Sequence, residues 1–191
     1  MSDPVTYNFF GTTVPVLRSI NTTAINTLRA AKDEQSKGSL PSDLEVLDSA
    51  LGDMMAFRMQ PVLLVKFSLT ALDFLKLSKT DAPAMNPGFK SFDEVIEFFE
   101  GANKVLDSLD EKEYNDAAEK GCDISLGTGK PTLHMTGFAD YLHGFVIPNS
   151  YFHLNAMYMI LRNAGFKLGK RIYIGAFMSN QQQEDWAVLR R

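Results

Sequence analysis

Residues 137–175 read GFADYLHGFVIPNSYFHLNAMYMILRNAGFKLGKRIYIG. Apolar residues recur at helical spacing on both sides of Pro148, which predicts a helical region over 138–145 and 149–163 that is bent or interrupted at the proline. Ala164 and Gly165 then have the pattern of a helix C-cap. The stretch is therefore expected to be the fourth and last helical region of a bundle.

The first helical region lies near the N-terminus. Thr12 or Thr13 is expected to cap a helix with Pro15 in its first turn, because proline fits the start of a helix, where its missing N–H is not needed. Apolar residues follow at helical spacing, and the helix is expected to end before Gly38.

The second helical region begins at Ser42, with Glu45 three residues later in the pattern of a capping box. Pro61 is expected to kink or break this helix, since proline removes a hydrogen bond and clashes with the preceding turn. Residues 61–77 are apolar nearly all round, which places them in the middle of a bundle. The buried stripe before the proline is predicted to be Leu44, Leu47, Leu51 and Met54.

Ser91, with Glu94 three residues on, predicts the start of a third helix. Residues 122–126 and 131–135 then alternate around Gly127–Lys130 and predict a short hairpin. The pattern as a whole predicts an all-α four-helix bundle, with a hairpin before the last helical region. A single domain over 1–191 is expected, with a bundle core of about 12–175 and a loosely held tail over 176–191.

Composition excludes several functions. The 191 residues carry a formal charge of −4 and no basic cluster, so nucleic acid is not an expected partner. Cys122 is the only cysteine, which excludes an internal disulfide and a cysteine-based zinc site. The N-terminus lacks a secretory pattern, and the most apolar run, 61–75, is too short to span a bilayer. We expect a cytoplasmic protein that does not bind membranes.

Three segments carry a family resemblance. They are Gly137–Leu142, with a Gly-x-x-x-Tyr-Leu pattern; Pro148–His153, with Pro-Asn before Phe-His; and Ile160–Lys170, with Ile-Leu-Arg before Gly-x-x-x-Gly-Lys. Together they resemble a bacterial and fungal family of unknown function in the superfamily of DinB/YfiT-like helical bundles. The resemblance is dense over about forty residues, and the order of the preceding helices agrees with it.

The resemblance implies a bundle of the up-down-down-up type and no established activity. Members of the wider superfamily often carry a divalent metal on three histidines, two of them in a His-x-x-x-His pair on the last helix, and some use it with a thiol cofactor. The corresponding positions here are Asn149 and His153, so one histidine of the pair is missing. The resemblance therefore does not carry a complete metal site into this sequence.

The spacing of the histidines also argues against a metal. On one straight helix His143 and His153 would lie about 15 Å apart along the axis and roughly 80° apart around it, beyond the reach of one ion. His134, on the hairpin, could approach either of them. We therefore predict no cofactor; the alternative is a divalent ion such as zinc or nickel held by His153 with His134 or His143.

Asn149 and His153 share one helix face, because they are four residues apart. We predict that they form a polar site between helices, with His153 as the candidate catalytic residue. A buried carboxylate beside it would make it a general base, whereas an interhelical hydrogen bond that fixes the register is the structural alternative. The candidate ligand-binding residues are Asn149, Tyr141, His143, Met157, Asp53 and Asp73.

Three functions remain open. The first is a pocket between helices that binds a small, largely apolar molecule, with or without acid–base chemistry at His153. The second is a metal-dependent enzyme of the DinB-like kind. The third is a bundle that forms a homodimer and has no small-molecule site.

Overall fold

A computed structural model describes residues 6–127 and 129–190. The helices and strands, in chain order, are α1 (Phe9–Gln35), α2 (Asp43–Asp48), α3 (Met59–Phe74), α4 (Phe92–Asp107), α5 (Glu111–Asp116), β1 (Cys122–Ser125), β2 (Thr132–Met135), α6 (Phe138–Tyr141), a π-helical turn (Leu142–Val146), α7 (Ile147–Asn163), α8 (Lys170–Ile174), a 3₁₀ turn (Gly175–Phe177), α9 (Asn180–Asp185) and a second 3₁₀ turn (Trp186–Arg190). The four long helices α1, α3, α4 and α7 form the bundle.

Ion pairs show that α1 and α4 run antiparallel. Arg18, early in α1, pairs with Asp107 at the end of α4, whereas Lys32, late in α1, pairs with Asp93 at its start. By contrast, α1 and the last helical region run parallel, because Phe9 packs on Phe138 at their starts, and Leu40, just after α1, lies beside Gly165, just after α7.

The two remaining directions follow from contacts of α3. Its start contacts the middle of α7, and Phe67, farther along, packs edge-on against Phe145 before α7, so α3 and α7 are antiparallel. Phe57 and Phe92 meet near the starts of α3 and α4, which are therefore parallel. The predicted up-down-down-up bundle is confirmed, and residues 75–91 form the long crossover that two consecutive parallel helices require.

The core is one cluster of apolar side chains between the four long helices. Burial of this area is the main stabilising contribution to the fold. At one end of the bundle the core contains an aromatic group, in which Phe9, Tyr114 and Phe138 pack on one another with ring centroids 4.7–5.3 Å apart. This group joins the start of α1 to α5 and α6.

The predicted start of the first helix and the predicted extent of the second are wrong in detail. The N-cap of α1 is Asn8, whose side chain accepts from the Gly11 amide, so Pro15 lies inside the helix and not in its first turn. The predicted helix beyond Ser42 ends at Asp48, because the chain turns there before α3 begins. The predicted stripe is therefore broken, and Leu44 is 51% exposed. The predicted break at Pro61 is also misplaced, because the chain leaves the helix after Asp48, and Pro61 lies in the first turn of α3 as its third residue.

The sequence patterns did not predict α5. Asp110 caps it by accepting from the Glu113 amide, and Tyr114 is buried, with its hydroxyl 2.9 Å from that of Thr13 in α1.

The predicted hairpin is confirmed as an antiparallel pair in which Cys122 faces Met135 and Ser125 faces Thr132. Thr128, which the sequence places in the predicted turn, lies outside the described residues.

The interruption at Pro148 is a widened turn. The Ile147 amide donates to the Leu142 carbonyl, five residues back, which is the π-helical pattern. A proline in an α-helix clashes with the carbonyl four residues earlier, here that of Gly144, and widening the preceding turn relieves the clash. The helix thus continues through the predicted break, and this turn places the ring of Tyr141 against that of Phe145, 5.8 Å away.

The C-cap at Gly165 is confirmed. Gly165 has a φ of 96°, its amide donates to the Arg162 carbonyl, and the Phe166 amide donates to that of Leu161, which together form a Schellman motif.

The chain then returns along the bundle as α8, a 3₁₀ turn and α9, and Trp186 is 54% exposed. In the described part of the chain, no helix combines the length and the apolar character needed to cross a membrane.

Candidate functional site

The candidate site lies on the seam where the antiparallel helices α3 and α7 meet. Asn149 donates through Nδ2 to the Leu63 carbonyl at 3.1 Å, and Ser150 donates to the Leu64 carbonyl at 2.8 Å. These two bonds tie α7 to the backbone of α3, each contributing about 1 kcal/mol. Asn149 therefore has the structural role of fixing the register of the two helices.

His153 lies one turn farther along the same face. Its Nδ1 is 2.7 Å from Oε1 of Gln60, a buried side chain at the start of α3. The Gln60 amide is oriented by a second bond, because its Nε2 donates to the Met55 carbonyl at 2.7 Å. Since Oε1 can only accept, His153 must carry its proton on Nδ1. Nε2 is therefore the unprotonated nitrogen, a hydrogen-bond acceptor.

The second nitrogen of His153 reaches the surface. In the described part of the chain, the buried polar side-chain atoms without a partner are Thr27 Oγ1, Arg58 Nε and Tyr141 Oη. Nε2 of His153 is not one of them, and no described residue forms a hydrogen bond with it. The residue as a whole is only 9% exposed, and we infer that this small exposure includes Nε2.

Burial lowers the pKa of His153 to about 4, because the charged imidazolium loses its hydration in the seam. The orienting group, Gln60, is a neutral amide and cannot restore the pKa as a carboxylate would. His153 is therefore neutral at pH 7.

The neighbours of His153 on α7 and of Gln60 on α3 include apolar side chains. The ring of Phe152 meets that of His153 edge-on at 5.2 Å and is 60% exposed. By helical spacing, Met59 and Leu63 lie beside Gln60 on the outward side of α3, where both are half-buried. The arrangement is a single fixed acceptor within a partly exposed apolar seam.

Tyr141 does not belong to this site. It precedes His153 by twelve residues, which along the helical axis is about 18 Å. Its side chain is buried near Cys122 in β1, its hydroxyl has no partner among the described residues, and burial raises its pKa. The structure therefore does not bring Tyr141 and His153 together at one site.

The other predicted residues are also dispersed. His143 is exposed beside the ring of Phe9, and Met157 is fully buried in the core. Asp53 is exposed in the loop before α3. Asp73 is exposed at the far end of α3, about 20 Å from Gln60 along the axis, where it pairs with Lys76. Neither aspartate faces His153, so the predicted carboxylate beside the imidazole is absent among these candidates.

The residues present do not fit the metal that the family resemblance implies. His134 lies on the hairpin, paired through Nδ1 with Asp123 at 2.7 Å, and His143 lies on a different part of the bundle. Among the described residues, no three His, Cys, Asp or Glu side chains cluster closely enough to hold an ion. At the seam itself, Gln60 and Asn149 accompany His153, and amides are poor ligands for zinc or nickel.

The sequence did not predict a role for Gln60, the residue that fixes the orientation and tautomer of the His153 imidazole. Gln60 directly precedes Pro61, and the pattern at this position predicts only a helix break. A signal was nevertheless present, because Gln60 is an uncharged polar residue at the start of a helix that is apolar nearly all round. Such a residue is expected to have a specific partner when buried.

Replacing Gln60 tests its role. We expect Gln60→Glu to raise the pKa of His153 from about 4, because a carboxylate stabilises the imidazolium that the amide does not. Gln60→Leu should instead lower the free energy of unfolding by about 1–3 kcal/mol, since the Nδ1–H would lose its acceptor. NMR titration of the imidazole and chemical unfolding measure the two effects. An unchanged pKa in Gln60→Glu would contradict the hydrogen bond.

This chain is similar to one protein family and to a protein of known structure. The model of a family described as a domain of unknown function (DUF1993) matches residues 9–174. The crystal structure of a DinB family member from Shewanella denitrificans is similar, with a TM-score of 0.68 and 22% identity over 87% of this chain and 91% of that one. No relative is found among curated proteins. The structural match shows the shared fold.

Proposed function

This chain belongs to the DUF1993 family, a domain of unknown function, and we propose that the seam between α3 and α7 binds a small, largely apolar molecule. The molecule would donate one hydrogen bond, from a hydroxyl or an amide, to Nε2 of His153. The observation that carries this proposal is the fixed tautomer of His153, which presents a bare nitrogen at the surface of an apolar seam.

The chemistry of the seam defines the ligand class. A neutral imidazole acceptor favours a donor and gives no ion pair to a carboxylate or a phosphate. Phe152, in contact with the His153 ring, and Met59 and Leu63, beside Gln60 along α3, would supply apolar surface to such a ligand. Ligand sites commonly combine such a lining with a few polar groups that fix the orientation of the ligand. A phenol, a fatty alcohol or a small amide has both features.

Binding is better supported than acid–base catalysis. A general base works best when its pKa lies near the working pH, and burial lowers that of His153 to about 4. The group that orients the imidazole is an amide, which does not raise its basicity. Nε2 therefore suits a hydrogen bond to a ligand better than the removal of a proton at neutral pH.

The proposal is tested with p-cresol and its methyl ether, which have nearly the same shape but differ in the donor. We expect p-cresol to shift the ¹⁵N resonance of His153 Nε2 and to bind at least about tenfold more tightly than the ether, a difference of roughly 1.4 kcal/mol that one hydrogen bond supplies. ¹⁵N NMR of the imidazole and isothermal titration give the two measurements.

His153→Gln and His134→Gln provide the matched variants. We expect His153→Gln to remove the preference for p-cresol, whereas His134→Gln, on the exposed hairpin, should keep it. Equal binding of the phenol and the ether to the unmodified protein would contradict the proposal. So would a loss of binding in His153→Gln that unfolding of the variant fully explains.

A further inference from the structure

The outward side of α7 is unusual for a helix at a protein surface. From Leu142 to Leu161 the sequence contains no Asp, Glu, Lys or Arg. The outward side of α4, on the same bundle, has the ordinary pattern, with exposed charges at Asp93, Glu97 and Glu100. Depletion of charged residues together with aromatic residues and methionine is typical of the core of a protein interface.

Three large apolar side chains line this outward side at intervals of seven residues. Phe145 is 43% exposed, Phe152 is 60% exposed and Met159 is 44% exposed. Seven residues make about two helical turns, so the three form one row roughly 21 Å long. We call this row the α7 surface. Phe152, at its centre, is the most exposed of the three.

The α7 surface continues onto α3. Phe67 packs edge-on against Phe145, and Met59, Leu63 and Phe67 are half-buried on the side of α3 next to the seam. Met55, before α3, is 58% exposed. With a full side chain exposing about 200 Å², these residues together present on the order of 500 Å² of apolar surface.

That area matches what a stable dimer needs. A standard interface buries about 800 Å² on each partner, and about 65% of a homodimer interface is apolar. The apolar area of about 500 Å² on this surface is close to 65% of the 800 Å² that each partner of a standard dimer buries. It also lies near the upper end of the largest patches that monomers expose, about 300–600 Å².

We propose that the α7 surface binds a second copy of this chain, with the two α7 helices antiparallel and Phe152 on the two-fold axis. Phe152 then packs on the partner's Phe152, and Phe145 packs on the partner's Met159. The equal spacing on either side of Phe152 makes the row self-complementary, as an isologous interface requires. This symmetry favours a second copy over an unrelated partner.

The dimer would also affect the ligand seam. His153 adjoins Phe152, so a second copy would cover the seam and enclose a bound molecule. This consequence rests on the proposed function, whereas the dimer itself does not. The dimer is therefore tested on protein without ligand.

Charge substitutions at Phe152 test the two-fold axis. We expect the unmodified protein to sediment as a dimer, and Phe152→Glu or Phe152→Lys alone to weaken the dimer by about 30-fold or more, the effect of an interface hot spot. An equimolar mixture of the two variants should restore a 1:1 dimer, because opposite charges then meet at the axis. Sedimentation equilibrium and native mass spectrometry measure both effects.

Leu44→Glu is the matched control, since Leu44 is 51% exposed on α2 and is not one of the residues of the proposed interface. It should leave the dimer unchanged, and circular dichroism should show all variants folded. A monomeric unmodified protein would overturn the proposal, and binding to lipid vesicles that Phe152→Glu abolishes would then assign the surface to a membrane. A dimer that Phe152→Glu leaves intact, or that the mixture does not restore, would overturn it as well.

Discussion

Replacing Phe138 with alanine is expected to lower the free energy of unfolding by about 3–5 kcal/mol, the cost of truncating a buried aromatic ring. Phe138 is fully buried, and its ring packs edge-on against Phe9 and Tyr114 at 5.3 Å each. These rings come from α6, α1 and α5, so the cavity would open between three elements that have no short connection. Unfolding in urea measures the change.

Phe74→Ala is the matched control, because Phe74 is 47% exposed at the end of α3. It should cost at most about 1 kcal/mol, as substitutions near the surface usually do. For a chain of this size the Phe138 variant should lose about 10 °C in Tm relative to the control. Equal costs for the two variants would show that the aromatic group does not hold this end of the bundle together.

The stability of the protein should fall between pH 6.5 and pH 4 because of His153. Its pKa is about 4 in the folded protein, against an unfolded value of 6.5. In this window the unfolded chain takes up a proton that the folded protein does not, so the unfolded state gains stability as the pH falls. We expect a loss on the order of 2–3 kcal/mol, complete once the pH is below the folded pKa.

Comparison with His153→Gln isolates this effect. The stabilising carboxylates Glu45 and Asp110 also have lowered pKa values, but their contribution is lost only as the pH falls below their unfolded values of 4.5 and 3.8. The difference in unfolding free energy between the protein and the variant should therefore shrink from pH 7 to pH 4. A constant difference would show that His153 is hydrated and titrates normally.

The sequence predicted the bundle well because its signals are local. Helix spacing, the caps at Ser42 and Ser91 and the glycine at 165 each depend on a few neighbouring residues, and the structure confirms them. The errors lie where tertiary contacts overrule the local pattern. Pro15 is tolerated inside α1, and α5 forms because Tyr114 is buried against Thr13.

The candidate site was only half predictable. The shared face of Asn149 and His153 follows from their spacing of four residues, and the structure places both on the seam with α3. Which residue faces them depends on the rotation of α3 about its own axis, and that is set by packing of the whole bundle. The sequence therefore suggested Asp53 and Asp73, whereas the residue that meets His153 is Gln60.

The same reason explains the fate of Tyr141 and His143. Both lie in the stretch with the strongest family resemblance. Residues ten or twelve positions before His153 on the same helix are nevertheless about 15–18 Å from it along the axis. Their side chains face β1 and the ring of Phe9, respectively, at the other end of the helical region.

The most direct measurement is the ¹⁵N spectrum of the His153 imidazole as a function of pH, with assignments made by substituting each of the three histidines in turn. The hydrogen bond to Gln60 predicts a proton on Nδ1, a bare Nε2, and no change of tautomer or charge from pH 7.5 down to about 5. A proton on Nε2 at neutral pH, or a titration centred near 6.5, would contradict the account of His153 as a fixed, neutral acceptor.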